Sequence, residues 1–291
     1  MNKRSLRRIA FLTMDSLEGF FAYDDMVNEP LLRRGVQVDH VSWRANAEWS
    51  DYEMVVIRSP WDYHKSADAF LHVLDSIDQK TCLVNDLQTV RWNINKHYLK
   101  DLDHRGADIV PTEWFASLSV ADLDCLCERF GEEEFVCKPV VGAGAENTFR
   151  LSSRTSPDVR REVATTYESR EAMVQAFVPS ITTVGEYSLF YFDEQFSHCV
   201  LKTPTAGDFR VQEEHGGQLR AITPAVDLLF AGEKAIQAVS GRLLYARVDL
   251  VRLPDGKPVV MELELIEPSL YFPFDPQSPE RFADAILRRM Q

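Results

Sequence analysis

Short apolar runs separated by amphipathic stretches open the chain. Residues 9–12, 36–41, 55–57 and 82–84 are continuous apolar runs of the kind expected for strands buried on both faces of a parallel sheet. Between them the spacing predicts helices over 24–34, ended by Gly35, and 66–77. In the second, Ser66 is placed as a cap and Phe70, Leu71, Leu74 and Ile77 form one stripe. Pro30 should kink or delay the first.

From Trp92 the pattern changes. Helices are expected over 95–105, ended by Gly106, and over 119–130, where Ser119 and Asp122 have capping-box spacing and Gly131 follows. Strand-like segments then cover 134–138, 148–151, 172–178, 187–192 and 196–201. A helix is expected around 227–242, a long hairpin turns at Asp255-Gly256, and a last helix opens at Ser278-Pro279. No repeat or low-complexity tract interrupts this order. The fold class is α+β, a parallel lobe followed by two mostly antiparallel ones.

The hairpin carries the strongest chemical signal. A two-residue turn at Asp255-Gly256 puts Asp249 opposite Glu262 and Arg247 opposite Glu264, all on one face with Tyr245, Val251, Val260 and Ile266. Like charges directly opposite destabilise a sheet, and burying them needs a compensating cation. Three hard oxygen ligands point to Mg²⁺ shared with nucleotide phosphates. The alternative is an exposed face on which Arg247 pairs with Glu264 and water solvates the other acids.

Other candidates are individually weaker. Lys138 precedes the small-residue turn Pro139–Gly144, which matches neither a Walker A loop nor a dinucleotide fingerprint, yet could fold over phosphates or be an ordinary turn. A second hairpin with a three-residue loop at 193–195 would set Glu186 against Lys202 and Phe190 against His198. A surface ion pair is the plain alternative for the first of these. Residues 203–217 form a long polar segment, the length of a functional lid, and its Arg210 could clamp a phosphoryl group.

Bulk properties narrow the partners. A formal net charge of -13 over 291 residues argues against nucleic acid, which needs a basic footprint. No segment approaches the ~20 apolar residues of a membrane span, and the basic start at Lys3, Arg4, Arg7 and Arg8 lacks the apolar core of a signal peptide. Five cysteines without a C-x-x-C pair, and histidines without ligand spacing, disfavour a disulfide or zinc framework. A cytoplasmic protein acting on small molecules is expected. Homo-oligomerisation stays open.

Several motifs follow one another in a telling order: Asn95-Lys96, Phe135-Val136-Cys137-Lys138-Pro139, Val174-Gln175-Ala176-Phe177-Val178, Gly185-Glu186, Gly207-Asp208-Phe209-Arg210, Ala246-Arg247-Val248-Asp249 and Met261-Glu262-Leu263-Glu264. The series resembles the ATP-grasp superfamily of carboxylate–amine ligases. The first-lobe run Val56-Ile57-Arg58-Ser59-Pro60-Trp61-Asp62-Tyr63-His64 extends the similarity to D-cycloserine-forming and L-amino-acid ligases.

The resemblance implies an ATP-grasp fold with an N-terminal parallel α/β lobe (1–90), a small lid subdomain (91–178) and a C-terminal subdomain with the metal site (179–291). It implies ATP and Mg²⁺, with Mn²⁺ as a substitute. Lys96 and Lys138 would reach the phosphates from two sides. Gln175, Phe177 and Val178 would form the adenine hinge, and Glu186 and Lys202 would line the nucleotide pocket. Arg210 would stabilise an acyl phosphate, with Lys202 and Arg247 as catalytic companions. Asp249, Glu262 and Glu264 would hold the metal, although that family commonly has Asn at the last position, and the extra carboxylate could divert Arg247. For substrate, Arg58 would take a carboxylate and Asp62 an amine, with Tyr63 beside them; alternatively Trp61 and Tyr63 pack a lobe junction. Three activities are compatible: joining two amino acids to a dipeptide, the main expectation; closing a cycloserine-like ring; and nucleotide binding for regulation without ligation.

Overall fold

The computed structural model describes residues 6–142 and 144–291. Lys3 and Arg4 of the basic start and Ala143 of the glycine turn lie outside the described residues.

Strands β1 (Arg7–Thr13), β2 (Val36–Ser42), β3 (Met54–Ser59) and β4 (Cys82–Val84) form a parallel sheet in the order β2-β1-β3-β4. Its central strands are the apolar runs, and every residue of β3 is buried. Pro30 delays its helix as expected. A 3-10 turn over Asp24–Val27 comes first, and the α-helix spans Asn28–Arg33, so the proline falls in the first α-turn, where no N–H is needed. Of the stripe on helix Ala67–Asp78, Phe70, Leu74 and Ile77 are buried.

Strands β5 (Thr112–Phe115), β6 (Phe135–Pro139), β7 (Phe149–Leu151) and β8 (Ala172–Ala176) make an antiparallel sheet in the order β5-β8-β6-β7. Helices Val120–Phe130 and Pro157–Tyr167 supply its core, including Leu123, Val163 and Tyr167. Ser119 and Asp122 close the expected capping box. A third sheet, also antiparallel, has the order β11-β10-β9-β12-β13: β9 (Glu186–Phe192), β10 (Gln195–Thr203), β11 (Gln218–Ala221), β12 (Tyr245–Arg252) and β13 (Pro258–Glu264). Strands β5 and β11 and helices Leu87–Asn93 and Pro157–Tyr167 stand where the pattern gave no element.

The helix Ser278–Arg289 ties the first and third sheets together. Its Phe282, Ala283 and Ile286 share one buried cluster with Ile9 and Phe11 of β1 and Phe190, Phe192 and Tyr245 of the third sheet. Among the described residues no helix is long and apolar enough to cross a membrane.

Candidate active site

The acid-bearing hairpin reaches its expected pairing by an unexpected route. Arg247 lies opposite Glu264 and Asp249 opposite Glu262. The turn, however, is a three-residue loop: Leu253 N–H donates to Lys257 and Gly256 N–H to Leu253, with Gly256 at φ +85°. A bulge at Met261 then restores the register, because Asp249 pairs with Glu262 whereas Leu250 pairs with Val260. Val260 consequently turns into the opposite core with Val248, Leu250 and Leu263, not onto the acidic face as the simple turn implied. Met261 packs instead with Val110, Val178, Ile181, Val211, Val251 and Val259.

As an edge strand, β13 would leave backbone groups open, and neighbouring segments close them. Tyr98 Oη accepts the Leu263 N–H at 3.0 Å, and the Asn93 amide bridges the Leu263 carbonyl and the Leu265 N–H at 2.9 Å each. Val260 exchanges hydrogen bonds with Asp108 and Val110. These contacts hold the register, and hence the face, of Glu262 and Glu264.

Asp249, Glu262 and Glu264 converge, each offering a carboxylate oxygen within 4.8 Å of the others. Asp249 is buried, and although burial raises its pKa, Arg247 and Lys202 outweigh that and hold it below the usual carboxylate range. Arg247 donates to Asp249 at 2.9–3.1 Å and also to Glu264, the diversion foreseen for a third acid. Ser188 donates to Asp249. Burial pushes Glu264 up to about 7, with Glu262 and Asp249 adding to the effect and Arg247 opposing it. A set of three hard oxygen donors, with a raised pKa that a divalent cation would reverse, fits Mg²⁺.

Cations ring these acids. Lys96 Nζ lies 2.6 Å from Glu262 and 3.1 Å from the Gly142 carbonyl. Lys202 is buried, 2.6 Å from Glu186 and 3.4 Å from Asp249. Its pairing across the hairpin matches expectation, but it is a buried network, not a surface pair. That hairpin also repairs its register: Asp193 and Glu194, both at positive φ, make a two-residue turn in place of the expected three, and a bulge at Ser197 compensates. Gly185 enters β9 where a Cβ would lie 2.5 Å from the Lys202 carbonyl. Lys138 differs from the other lysines. Its Nζ meets the Met261 sulfur at 3.2 Å, and burial lowers its pKa.

Beside Lys138, the chain from Gln175 to Val178 leaves the second sheet. Gln175 Nε2 donates to Thr112, and its buried Oε1 has no partner among the described residues. The Phe177 N–H is taken by Glu134, so its carbonyl and the Val178 N–H are the backbone groups left to a ligand there. Arg210, in the 203–217 segment, forks onto Asp208 at 2.7–3.2 Å.

The first-lobe candidates are placed differently from expectation. Arg58 is buried and engaged: it donates to Asp24 at 3.0 Å and the Pro268 carbonyl at 2.9 Å, and lies over the Tyr245 ring. Those partners tie it to the fold at the lobe junction, whereas the sequence had offered it to a substrate carboxylate. Asp62 accepts from Trp43 and Arg44, which engage both its oxygens and leave it poorly suited to an amine. Tyr63 is buried at the lobe junction, in the cluster that joins the first lobe to Ile266, and Glu267 lies beside it. Glu267 escaped the sequence reading altogether. Burial raises it to about 8, with Glu264 adding to the effect. Beyond it His64 meets Glu146, just past the glycine turn, at 3.0 Å.

Comparison with known proteins agrees with this geometry. Residues 9–85 match the family model described as the N-terminal domain of D-cycloserine synthetase DcsG, and residues 108–229 match the ATP-grasp domain of prokaryotic glutathione synthetase. The cycloserine biosynthesis protein DcsG of Streptomyces lavendulae is 32% identical over 273 residues, covering 88% of this chain and 90% of that one. The crystal structure of D-cycloserine synthetase DcsG superposes with a TM-score of 0.86 at 29% identity, over 98% of this chain and 100% of that one. A D-alanine–D-alanine ligase from Bacillus anthracis shares the fold at 15% identity and TM-score 0.67, over 98% and 97% of the two chains. On sequence, fold and site together, the chain belongs to the ATP-grasp ligases, in the family that contains DcsG.

Proposed function

We propose that this ligase cyclises its substrate: it activates the carboxylate of an amino acid as an acyl phosphate, and an amine of the same molecule then attacks. The observation that carries this is the first-lobe match over residues 9–85. The nucleotide half is common to ligases of many substrates, so the lobe beside it is the part that discriminates. The dipeptide-forming alternative has no comparable support.

In this reading ATP lies between the second and third sheets. Lys96 and Lys138 neutralise its phosphates, and the Phe177 carbonyl and Val178 N–H read the adenine edge over the apolar patch around Met261. Gln175 flanks that edge, and Glu186, anchored by Lys202, faces the ribose side. Mg²⁺ held by Asp249, Glu262 and Glu264 would supply charge neutralisation at the β- and γ-phosphates. The substrate carboxylate attacks the γ-phosphorus and ADP departs; Arg210, released from Asp208, and Arg247 stabilise the charge that develops. The neutral amine then attacks the acyl carbon and phosphate leaves, so the product is the substrate less one water. Catalysis is positioning and electrostatics, with the 203–217 segment keeping bulk water from the acyl phosphate.

A phosphate-release screen of amino acids and aminooxy amino acids, singly and in pairs, followed by mass spectrometry, tests the reading. Release with one organic substrate and a product lighter by one water is expected. A strict requirement for a second amino acid would replace cyclisation by dipeptide formation. Substrate-dependent ADP release that survives in Glu262→Gln would remove the ligase site itself.

A further inference from the structure

Four of the five carboxylates that line the cleft have a protein cation against them. Asp249 has Arg247 and Lys202, Glu262 has Lys96, Glu264 has Arg247, and Glu186 has Lys202. Glu267 is the exception: among the described residues no lysine or arginine makes an ion pair with it, and the Tyr63 phenol is its polar neighbour. Lys96, the lysine whose charge acts on it, is already held by Glu262 and the Gly142 carbonyl.

Its backbone is fixed while its side chain is left open. Trp61 Nε1 donates to the Glu267 carbonyl at 2.8 Å, and Arg58 to the next carbonyl, that of Pro268. Both anchors come from the first lobe, the part of the chain that distinguishes this family. Tyr63, buried in the same lobe, lies beside the carboxylate. Glu267 stands three positions after Glu264, at most about 10 Å between their Cα atoms. One small molecule can therefore place its carboxylate at the metal end and a second charged group on Glu267.

A half-buried carboxylate without a partner is unfavourable, and a ligand cation reverses that. We infer that Glu267 receives the α-ammonium of the substrate, in place of Asp62, which Trp43 and Arg44 occupy. The substrate class is then amino acids whose α-amine is free and protonated while the carboxylate beside it is activated. This rests on the ligase reading of the cleft, and the ammonium it binds is not the amine that attacks.

The test uses the full chain loaded with Mg-ADP, titrated calorimetrically with D-cycloserine and with the same ring lacking its amino group. The wild type is expected to bind the aminated ring at least tenfold more tightly. Glu267→Gln should keep its Mg-ADP affinity and melting temperature yet bind the two rings equally. A tenfold preference persisting in Glu267→Gln, or no preference in the wild type, overturns the assignment. If neither ring binds the wild type, cyclisation fails and Glu267 is judged separately. The comparison is then made between the amino acid that supports ADP release and its 2-hydroxy counterpart, with the same thresholds. Should Glu267→Gln not fold, Glu267→Asp replaces it; a reduced preference is expected, and an unchanged one counts against the role.

Discussion

A guanidinium at a lobe junction can serve a ligand or the fold, and its partners decide which. Arg58 neutralises Asp24, caps the Pro268 carbonyl and covers Tyr245, all out of water. Arg58→Ala strands Asp24 in the interior, and a broken buried pair costs roughly 3–5 kcal/mol. Urea unfolding should show that loss; wild-type stability with a raised substrate KM would return Arg58 to the substrate site. Arg210 presents the opposite case, a half-exposed guanidinium parked on Asp208. In the proposed mechanism its removal should leave the fold intact and cost transition-state stabilisation, roughly 3 kcal/mol or about a hundredfold in kcat/KM. Stopped-flow ADP release checks this, and a variant with unchanged kcat/KM would disqualify Arg210. Glu267 escaped the sequence reading because its meaning lies in an absent partner, and partners depend on the fold.

At the scale of elements, the two functional hairpins explain why their pairings were legible although their turns were not. At 193–195 a shorter turn and a bulge at Ser197 cancel; at 254–256 a longer loop and a bulge at Met261 cancel. The charge pattern of Glu186, Lys202, Asp249, Glu262 and Glu264 constrains which faces must meet, whereas turn residues constrain only the local chain. The same bulge is why Lys138 meets Met261, which no alternation of side chains could have shown. Helix Pro157–Tyr167 did carry its signals, Ser156 as cap and Pro157 in the first turn. Its polar exposed face hid the apolar stripe. His198 on β10 stacks on Phe190 with rings 4.3 Å apart and hydrogen-bonds to the Leu270 carbonyl at 3.0 Å. Burial lowers its pKa to about 4 in the folded chain, against about 6.5 unfolded. Above pH 6.5 both states are neutral and the residue contributes no pH dependence. As pH falls from 6.5 to 4 only the unfolded chain takes the proton, so stability declines, by about 3 kcal/mol at the lower end. Denaturation across that window should be flatter in His198→Phe than in the wild type; parallel curves would refute this role.

For the whole molecule, the first lobe touches both covers of the cleft. Tyr23 donates to Glu213 of the 203–217 segment at 3.0 Å, and His64 meets Glu146, just past the glycine turn, at 3.0 Å. Nearly two hundred residues separate Tyr23 from Glu213, a distance over which apolar periodicity carries no information. Removing the tie in Tyr23→Phe should loosen the segment and let water reach the acyl phosphate. The ratio of ADP to amide product is expected to rise several-fold, and a ratio that stays at one would show that the contact does not seal the site. The proposed ligase site depends on one convergence of acids. Anomalous diffraction from crystals grown with Mn²⁺ and ADP tests it most directly. A peak is expected in ligand contact with Asp249, Glu262 and Glu264, with Lys96 moved from Glu262 to phosphate oxygen; a peak elsewhere, with those carboxylates still tied to Lys96 and Arg247, would overturn the proposed metal site.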